Sequence, residues 1–202
     1  MRAETSEIIT SIKSQTSGYH LVRAMQDLSH RASTGESLAL DALTDMLEEC
    51  RDPEFWSRSS QYCSAVVHAV ASIGSLRSMQ MLLRYARALP DHISFGTVDL
   101  ISSVLPTYKR IIMGPIKDLL GEHEASAARA VGIQTLCNLY LEGSLQGEET
   151  AFLEQVLQKF DNDGYLTQHV ADLVRLEMAY KEKQAAEDLE DMLKGFLVGE
   201  GN

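Results

Sequence analysis

Apolar residues along the chain recur at intervals of three and four residues, which is the spacing of one face of an α-helix. The clearest stripe comprises Ala39, Leu43, Met46, Leu47 and Cys50. The strict alternation of apolar and polar residues that marks a half-buried β-strand is not sustained anywhere in the sequence. The pattern therefore predicts an all-α protein.

Capping residues predict where several helices begin and end. Ser33, followed three residues later by Glu36, has the spacing of a capping box and predicts the start of a helix. Asp52 before Pro53 predicts another helix start, and Gly74 predicts that this helix ends near residue 73. A single helix is therefore expected over about 53–73.

Prolines predict two interruptions in the next part of the chain. Pro106 lies inside a helical stretch over about 94–113, where its ring and its missing N–H should kink or break the helix. The step from Gly114 to Pro115 is then expected to end the stretch, and a short helix is expected over about 116–120.

Helix pairs are predicted to recur along the chain with a rough period. If the first helix of each pair starts near Gly18, Ser57, Phe95, Ser126 and Tyr165, the intervals are 39, 38, 31 and 39 residues. Short connections require the two helices of a pair to lie antiparallel and in contact. Residues 1–202 are therefore interpreted as a single helical repeat domain, in which residues 185–202 form a terminal capping helix and a short tail, separate from a helix over 165–181.

One segment resembles a known repeat class. The residues VVHAVASIGSLR at 66–77, followed by Met81, Leu82 and Leu83, resemble HEAT repeats, in which an alanine-containing helix ends at an Ile-Gly step and a leucine-rich helix packs back. Residues 129–136 with 152–157 are a weaker match. The resemblance to the HEAT-like and armadillo-like class implies a right-handed α-α superhelix of about five antiparallel helix pairs, which binds partner proteins on its concave surface. An irregular antiparallel helix bundle would produce a similar pattern and stays open as the alternative.

Composition and charge narrow the classes of partner. The chain has 45% hydrophobic and 23% charged residues, as expected for a folded protein. It has neither an apolar run of about 20 residues nor the layout of a signal peptide, so we expect a cytoplasmic protein without membrane contact. The net charge of −11 opposes binding to nucleic acids. The expected partner is a protein or a peptide.

Basic residues are concentrated in the middle of the chain. Residues 74–118 carry six basic and three acidic side chains, whereas both flanking regions are acidic. An acidic or phosphorylated segment of a partner could dock on these basic residues. The alternative is a solvated helix face that pairs with the chain's own acidic flanks. The partner-binding candidates are Arg77, Arg84, Arg87, Lys109 and Arg110.

Motifs for catalysis, metals or cofactors are absent from the sequence. Its three cysteines are widely spaced, its histidines form no i, i+4 pair, and its glycines form no phosphate-binding pattern. We therefore expect no catalytic residue, no metal and no cofactor, and a non-enzymatic scaffold or adaptor. The alternative is a small helical enzyme or ligand-sensing subunit, with a site assembled from distant residues such as His68, Tyr62 and Arg84.

The last helix has an apolar stripe on an otherwise acidic segment. Such a stripe closes the end of a helical stack in one interpretation and docks on a partner in another. Self-association through this end helix, as a homodimer, is compatible with the scaffold interpretation. The stripe comprises Leu189, Met192, Leu193, Phe196 and Leu197.

Overall fold

The computed structural model describes residues 2–14, 18–121, 124–160 and 164–199, with side chains over 4–14, 18–121, 124–160 and 164–190. These residues form eleven α-helices and one 3₁₀ helix and contain no β-strand, which confirms the all-α class. The helices are α1 (Arg2–Ser14), α2 (Tyr19–Ser33), α3 (Ser37–Glu49), α4 (Pro53–Arg58), α5 (Ser60–Ser72), α6 (Leu76–Arg87), α7 (Phe95–Val104), the 3₁₀ helix (Leu105–Tyr108), α8 (Met113–Leu119), α9 (Ser126–Leu141), α10 (Glu148–Lys159) and α11 (Tyr165–Gly199).

Three predicted boundaries are confirmed by local geometry. The Asp52 side chain accepts a hydrogen bond of 2.9 Å from the backbone N–H of Glu54 and caps α4, which begins at Pro53. Gly74 adopts a φ of 66° just after α5, a conformation that other residues rarely take. Pro106 lies in the 3₁₀ helix that begins where α7 ends. Capping residues and proline thus fix these ends locally.

Three other predicted boundaries are wrong. The helix expected over 53–73 is divided into α4 and α5 at Ser59, whose φ of −132° is not helical. Ser33 does not cap α3, because it is the last residue of α2 and its hydroxyl donates to the carbonyl of His30. The Gly114-Pro115 step does not end a helix, because it lies in the first turn of α8, where proline is tolerated.

Residues 165–181 and 185–197, which were predicted to be separate helices, belong to the 35-residue helix α11. The residues at the expected break are mostly Lys, Glu, Gln and Ala, which favour helix. Side chains from residue 191 onward lie outside the description, and so does most of the predicted apolar stripe. Within the described residues, no helix is long and apolar enough to cross a membrane.

Five helices pack side by side in chain order: α2 on α5, α5 on α7, α7 on α9 and α9 on α11. Hydrogen bonds connect successive helices in this series. The hydroxyl of Ser29 donates to the carbonyl of Ala69, 40 residues later, and the amide of Asn138 donates to the carbonyl of Ser102, 36 residues earlier. Helix α3 packs on α2 and on α6, α6 packs on α5, and α10 packs on α9.

Helices α9 and α11 run in the same direction. Near their starts, the hydroxyls of Ser126 and Thr167 lie 2.6 Å apart. Near the end of α9, the ammonium group of Lys181 donates to the carbonyl of Tyr140 at 2.5 Å. Helix α7 is parallel to α9 as well. Asp91, four residues before α7, accepts from the backbone N–H of Ala127 in the first turn of α9, and towards the ends of the two helices the Asn138 amide donates to the Ser102 carbonyl.

Helix α9 lies at the centre of the structure and contacts α6, α7, α8, α10 and α11. Eleven of its sixteen residues are buried, so it is apolar on nearly all sides. Gly132 permits a close approach of the segment after α8: a Cβ atom at this position would lie 3.1 Å from Cδ2 of Leu120. This close packing connects the two halves of the chain through one core.

Candidate binding groove

A groove of about 980 Å³ runs over the three consecutive helices α2, α5 and α7. Helix α5 lies between the other two and contributes the largest share of the lining. The lining residues are Gly18, Leu21, Val22, Met25, Gln26, Trp56, Ser60, Gln61, Ser64, Ala65, His68, Ala69, Ser72, Gly96 and Leu100.

The side chains of α5 that line the groove are small or polar. Ser64, Ala65, His68, Ala69 and Ser72 are separated by one, three, one and three residues, so they share one face of the helix. Serine and alanine project little from a helix, and a bound segment could therefore approach the α5 backbone closely. The short side chains of α5 make the groove concave.

Larger apolar side chains flank this stripe. Leu21 and Met25 on α2 are almost completely buried, whereas Val22 on the same helix is 47% exposed. The ring of Trp56 on α4 is 9% exposed and also contributes to the lining. A partner that covers Val22 and the apolar side chains beside it would remove apolar surface from water. Each Å² of apolar surface buried in this way stabilises the complex by roughly 25 cal/mol.

The groove is electrically neutral apart from one histidine. Its lining contains no aspartate, glutamate, lysine or arginine, and His68 is its single imidazole. The polar groups on its walls are the amides of Gln26 and Gln61 and the hydroxyls of serines. One of these, Ser72, already donates to the carbonyl of Ala69 at 2.9 Å. The groove therefore suits an uncharged, mainly apolar segment that offers a few hydrogen-bonding groups.

The dimensions of packed helices suit a helical occupant. Neighbouring helix axes lie about 8–10 Å apart, so α2 and α7 are separated by roughly 16–20 Å across α5. A helix with its side chains is about 10–12 Å across. Because α2 and α7 occupy part of that separation themselves, a helix laid over α5 would contact the flanks of α2 and α7 as well as α5.

The structure distributes the five predicted basic residues over more than one place. Arg77 and Arg84 line a second depression of about 420 Å³ together with the carboxylates Asp41 and Asp45. Arg77 pairs with Asp41 at 3.9 Å. This depression therefore contains charges of both signs.

The other three predicted basic residues lie elsewhere. Arg87 donates to Glu124 at 3.1 Å and is thus paired within the chain. Lys109 and Arg110 are exposed in the turn between the 3₁₀ helix and α8. The predicted acidic partner of these residues stays a prediction.

The residues named for the alternative enzyme site are not brought together. His68 lines the groove and Arg84 lines the second depression. Tyr62 is 6% exposed and lies with its hydroxyl 3.5 Å from a carboxylate oxygen of Glu49. These three side chains do not converge on one cavity.

All three cysteines are buried and free. The hydrogen bond with the Cys63 thiol and burial raise the pKa of the Cys50 thiol far above its usual range. Burial, followed by the Glu177 carboxylate to which the Cys137 thiol donates at 3.0 Å, raises the pKa of Cys137. A thiolate is disfavoured at both sites, so neither cysteine is suited to act as a nucleophile.

Sequence reasoning did not identify the groove. The signal that could have indicated it is the serine and alanine stripe on α5, part of which lies in the segment that resembles a HEAT repeat. Within the described part of the chain, no three His, Cys, Asp or Glu side chains are placed to bind a metal ion. Compared with protein-family models, with curated proteins and with solved structures, the chain gave no significant match.

Proposed function

We propose that this protein is a non-enzymatic interaction module with a HEAT-like solenoid fold, and that its groove binds an amphipathic helix of a partner protein. The observation that carries the proposal is the neutral, largely apolar groove of about 980 Å³ across α2, α5 and α7. Reception of an amphipathic helix by an apolar groove is a common mode of peptide recognition.

The succession of helix contacts supports the solenoid. Each first helix of a pair packs on the next first helix, from α2 through α5, α7 and α9 to α11. Hydrogen bonds between successive members of the series join residues 36 to 41 positions apart. An irregular bundle has no reason to repeat this offset, whereas stacked helix pairs of similar length require it. In this arrangement the groove is the surface of adjacent repeats.

The chemistry of the groove favours binding over catalysis. A hydrolytic or transfer site needs a base and a charge-stabilising group within reach of one reacting atom. In the groove, His68 has no carboxylate among the other lining residues to orient it. Amides and hydroxyls on an apolar surface instead provide orientation and specificity for a bound chain.

Selection from a displayed library of helical peptides, each about 20 residues long, would test the groove, since shorter isolated helices are marginally stable in water. We expect the enriched sequences to carry apolar residues at i, i+3, i+4 and i+7, without a charge on that face. Replacement of Ser64 by Arg, or of His68 by Trp, should weaken binding of an enriched peptide by about tenfold or more, because either side chain fills the groove.

A matched control is Ala179→Arg, which adds the same charge at an exposed position of α11. Its Kd for the peptide should lie within about twofold of that of the unchanged protein. This is a smaller change than the tenfold that corresponds to about 1.4 kcal/mol of binding free energy. Enrichment of no sequence, or equal binding by the groove variants and the unchanged protein, would show that the groove is not the binding site. Circular dichroism of every variant would establish that the fold is retained.

A further inference from the structure

Helix α11 continues past the end of its neighbour. The ammonium group of Lys181 contacts the carbonyls of Tyr140 and Leu141, the last two residues of α9. The residues of α11 that follow, 182–190, are all exposed. We call residues 182–199 the overhang.

The overhang repeats the spacing of the buried face of α11. Val170, Val174 and Met178 pack in the core, and the same helical face continues with Ala185 and Leu189, which are exposed. In the sequence, Met192 and Phe196 follow at intervals of three and four residues. An apolar stripe that is buried along the body of the protein therefore continues where α9 no longer covers it.

A free helix of this length gains little stability by itself. Its 18 residues extend about 27 Å. Most of the stability of helices in proteins comes from packing of an apolar face, and the overhang residues 182–190 are exposed. Five of these residues are acidic and two are basic. Two overhangs packed on each other would repel, so a surface that covers the stripe should be basic and apolar.

The chain presents such a surface on two adjacent segments. Leu76 at the start of α6 is 57% exposed, and Ile111 after the 3₁₀ helix is 49% exposed. The hydroxyls of Ser78 and Tyr108, 2.9 Å apart, hold these segments together. Exposed basic side chains accompany both apolar ones, and Arg77 among them also pairs with Asp41. We call the resulting surface the basic edge, and it comprises Leu76, Arg77, Lys109, Arg110 and Ile111.

The basic edge and the overhang lie at the same end of the helices. The hydroxyl of Tyr108, just after α7, donates to the carbonyl of Ala71, near the end of α5. Both segments of the basic edge thus follow the ends of helices parallel to α9 and α11. The overhang extends beyond this end of the molecule and away from the basic edge of its own chain. It can reach the basic edge of a second copy whose corresponding end faces the first.

We propose that two copies of this chain form a two-fold symmetric dimer in which the overhang of each copy packs on the basic edge of the other. The apolar stripe covers Leu76 and Ile111, and its acidic flanks pair with Lys109 and Arg110. Because each copy gives and receives one overhang, the assembly closes at two copies. This inference does not depend on the groove.

Sedimentation velocity over a range of protein concentrations tests the proposal with two charge-reversal variants. The edge variant is Lys109→Glu with Arg110→Glu, and the overhang variant is Glu182→Lys with Asp188→Lys. Each variant alone should have a dimer Kd raised by about tenfold or more, because it places like charges in contact. An equimolar mixture of the two should dimerise again, since both interfaces then carry opposite charges.

The control is Lys13→Glu with Arg23→Glu, which changes the net charge as much as the edge variant does, at exposed positions outside the basic edge. Its dimer Kd should lie within about threefold of that of the unchanged protein, which is a change of well under about 1.4 kcal/mol in the free energy of dimerisation. A monomeric unchanged protein at all concentrations would overturn the proposal. Dimers that persist in both variants, or a mixture that stays monomeric, would overturn it as well.

Discussion

Raising the pH from about 8 to about 11 is expected to lower the free energy of unfolding by several kcal/mol. Thiols and phenols that are buried in the folded protein keep their protons there, whereas the same groups lose them in the unfolded chain. Burial, followed by the nearby Cys50 and Cys63 thiols, raises the pKa of Tyr85 well above its usual range. Burial and the Glu49 carboxylate raise the pKa of Tyr62. The pKa values of Cys50 and Cys137 are raised too.

The direction of the effect follows from these raised pKa values. Below the pKa values of the unfolded chain, about 8.5 for Cys and 10 for Tyr, both states hold the same protons, and these groups do not make the free energy of unfolding depend on pH. Above those values the unfolded chain loses protons that the folded protein retains. Each such group then lowers the free energy of unfolding by about 1.4 kcal/mol per pH unit, until the pH reaches its folded pKa.

Urea unfolding at a series of pH values measures this loss, and Tyr85→Phe isolates one group. The hydroxyl of Tyr85 donates to the carbonyl of Cys50 at 2.8 Å, so the variant should be less stable by about 1–2 kcal/mol near pH 8. Above about pH 10, the free energy of unfolding of the variant should fall less steeply than that of the unchanged protein. The two slopes should differ by about 1.4 kcal/mol per pH unit. A free energy of unfolding that is constant from about pH 8 to 11 would contradict the burial of these groups.

Replacement of Leu136 by Ala is expected to lower the free energy of unfolding by about 2–5 kcal/mol. Leu136 is fully buried on α9, the helix that contacts five others. Removing three side-chain carbons there leaves a cavity that the surrounding helices cannot close without losing contacts of their own. Chemical denaturation followed by circular dichroism measures the change.

Leu141→Ala is the matched control on the same helix. Leu141 is 39% exposed, so the same truncation should destabilise the protein by less than about 1 kcal/mol. Equal losses for the two variants would contradict the central position of α9. A loss below about 1 kcal/mol for Leu136→Ala would contradict it too.

The parts of the fold that the sequence predicted correctly depend on local chemistry. The spacing of apolar residues predicts helices, and residues such as Asp52, Gly74 and Pro106 act on the backbone within a few positions of themselves. Their effects are therefore visible without knowledge of tertiary contacts. The predicted starts at Phe95, Ser126 and Tyr165 coincide with those of α7, α9 and α11.

The boundaries that were missed depend on packing between helices. No glycine or proline marks the break at Ser59, which divides α4 from α5 and leaves Trp56 in the lining of the groove. The groove itself is formed by three helices that are distant in sequence, so no local motif announces it. Conversely, the concentration of basic residues in the middle of the chain could not reveal that Arg77 pairs with Asp41 and that Arg87 pairs with Glu124.

Nuclear magnetic resonance provides the most direct test of whether a helical segment binds in the groove. Backbone amide signals would be followed while an enriched peptide is added to the full-length protein. We expect the largest shift changes on α2, α5 and α7, at residues such as Val22, Ser64, His68 and Leu100. Changes confined to α6, α11 or the basic edge, with the groove signals unmoved, would contradict it.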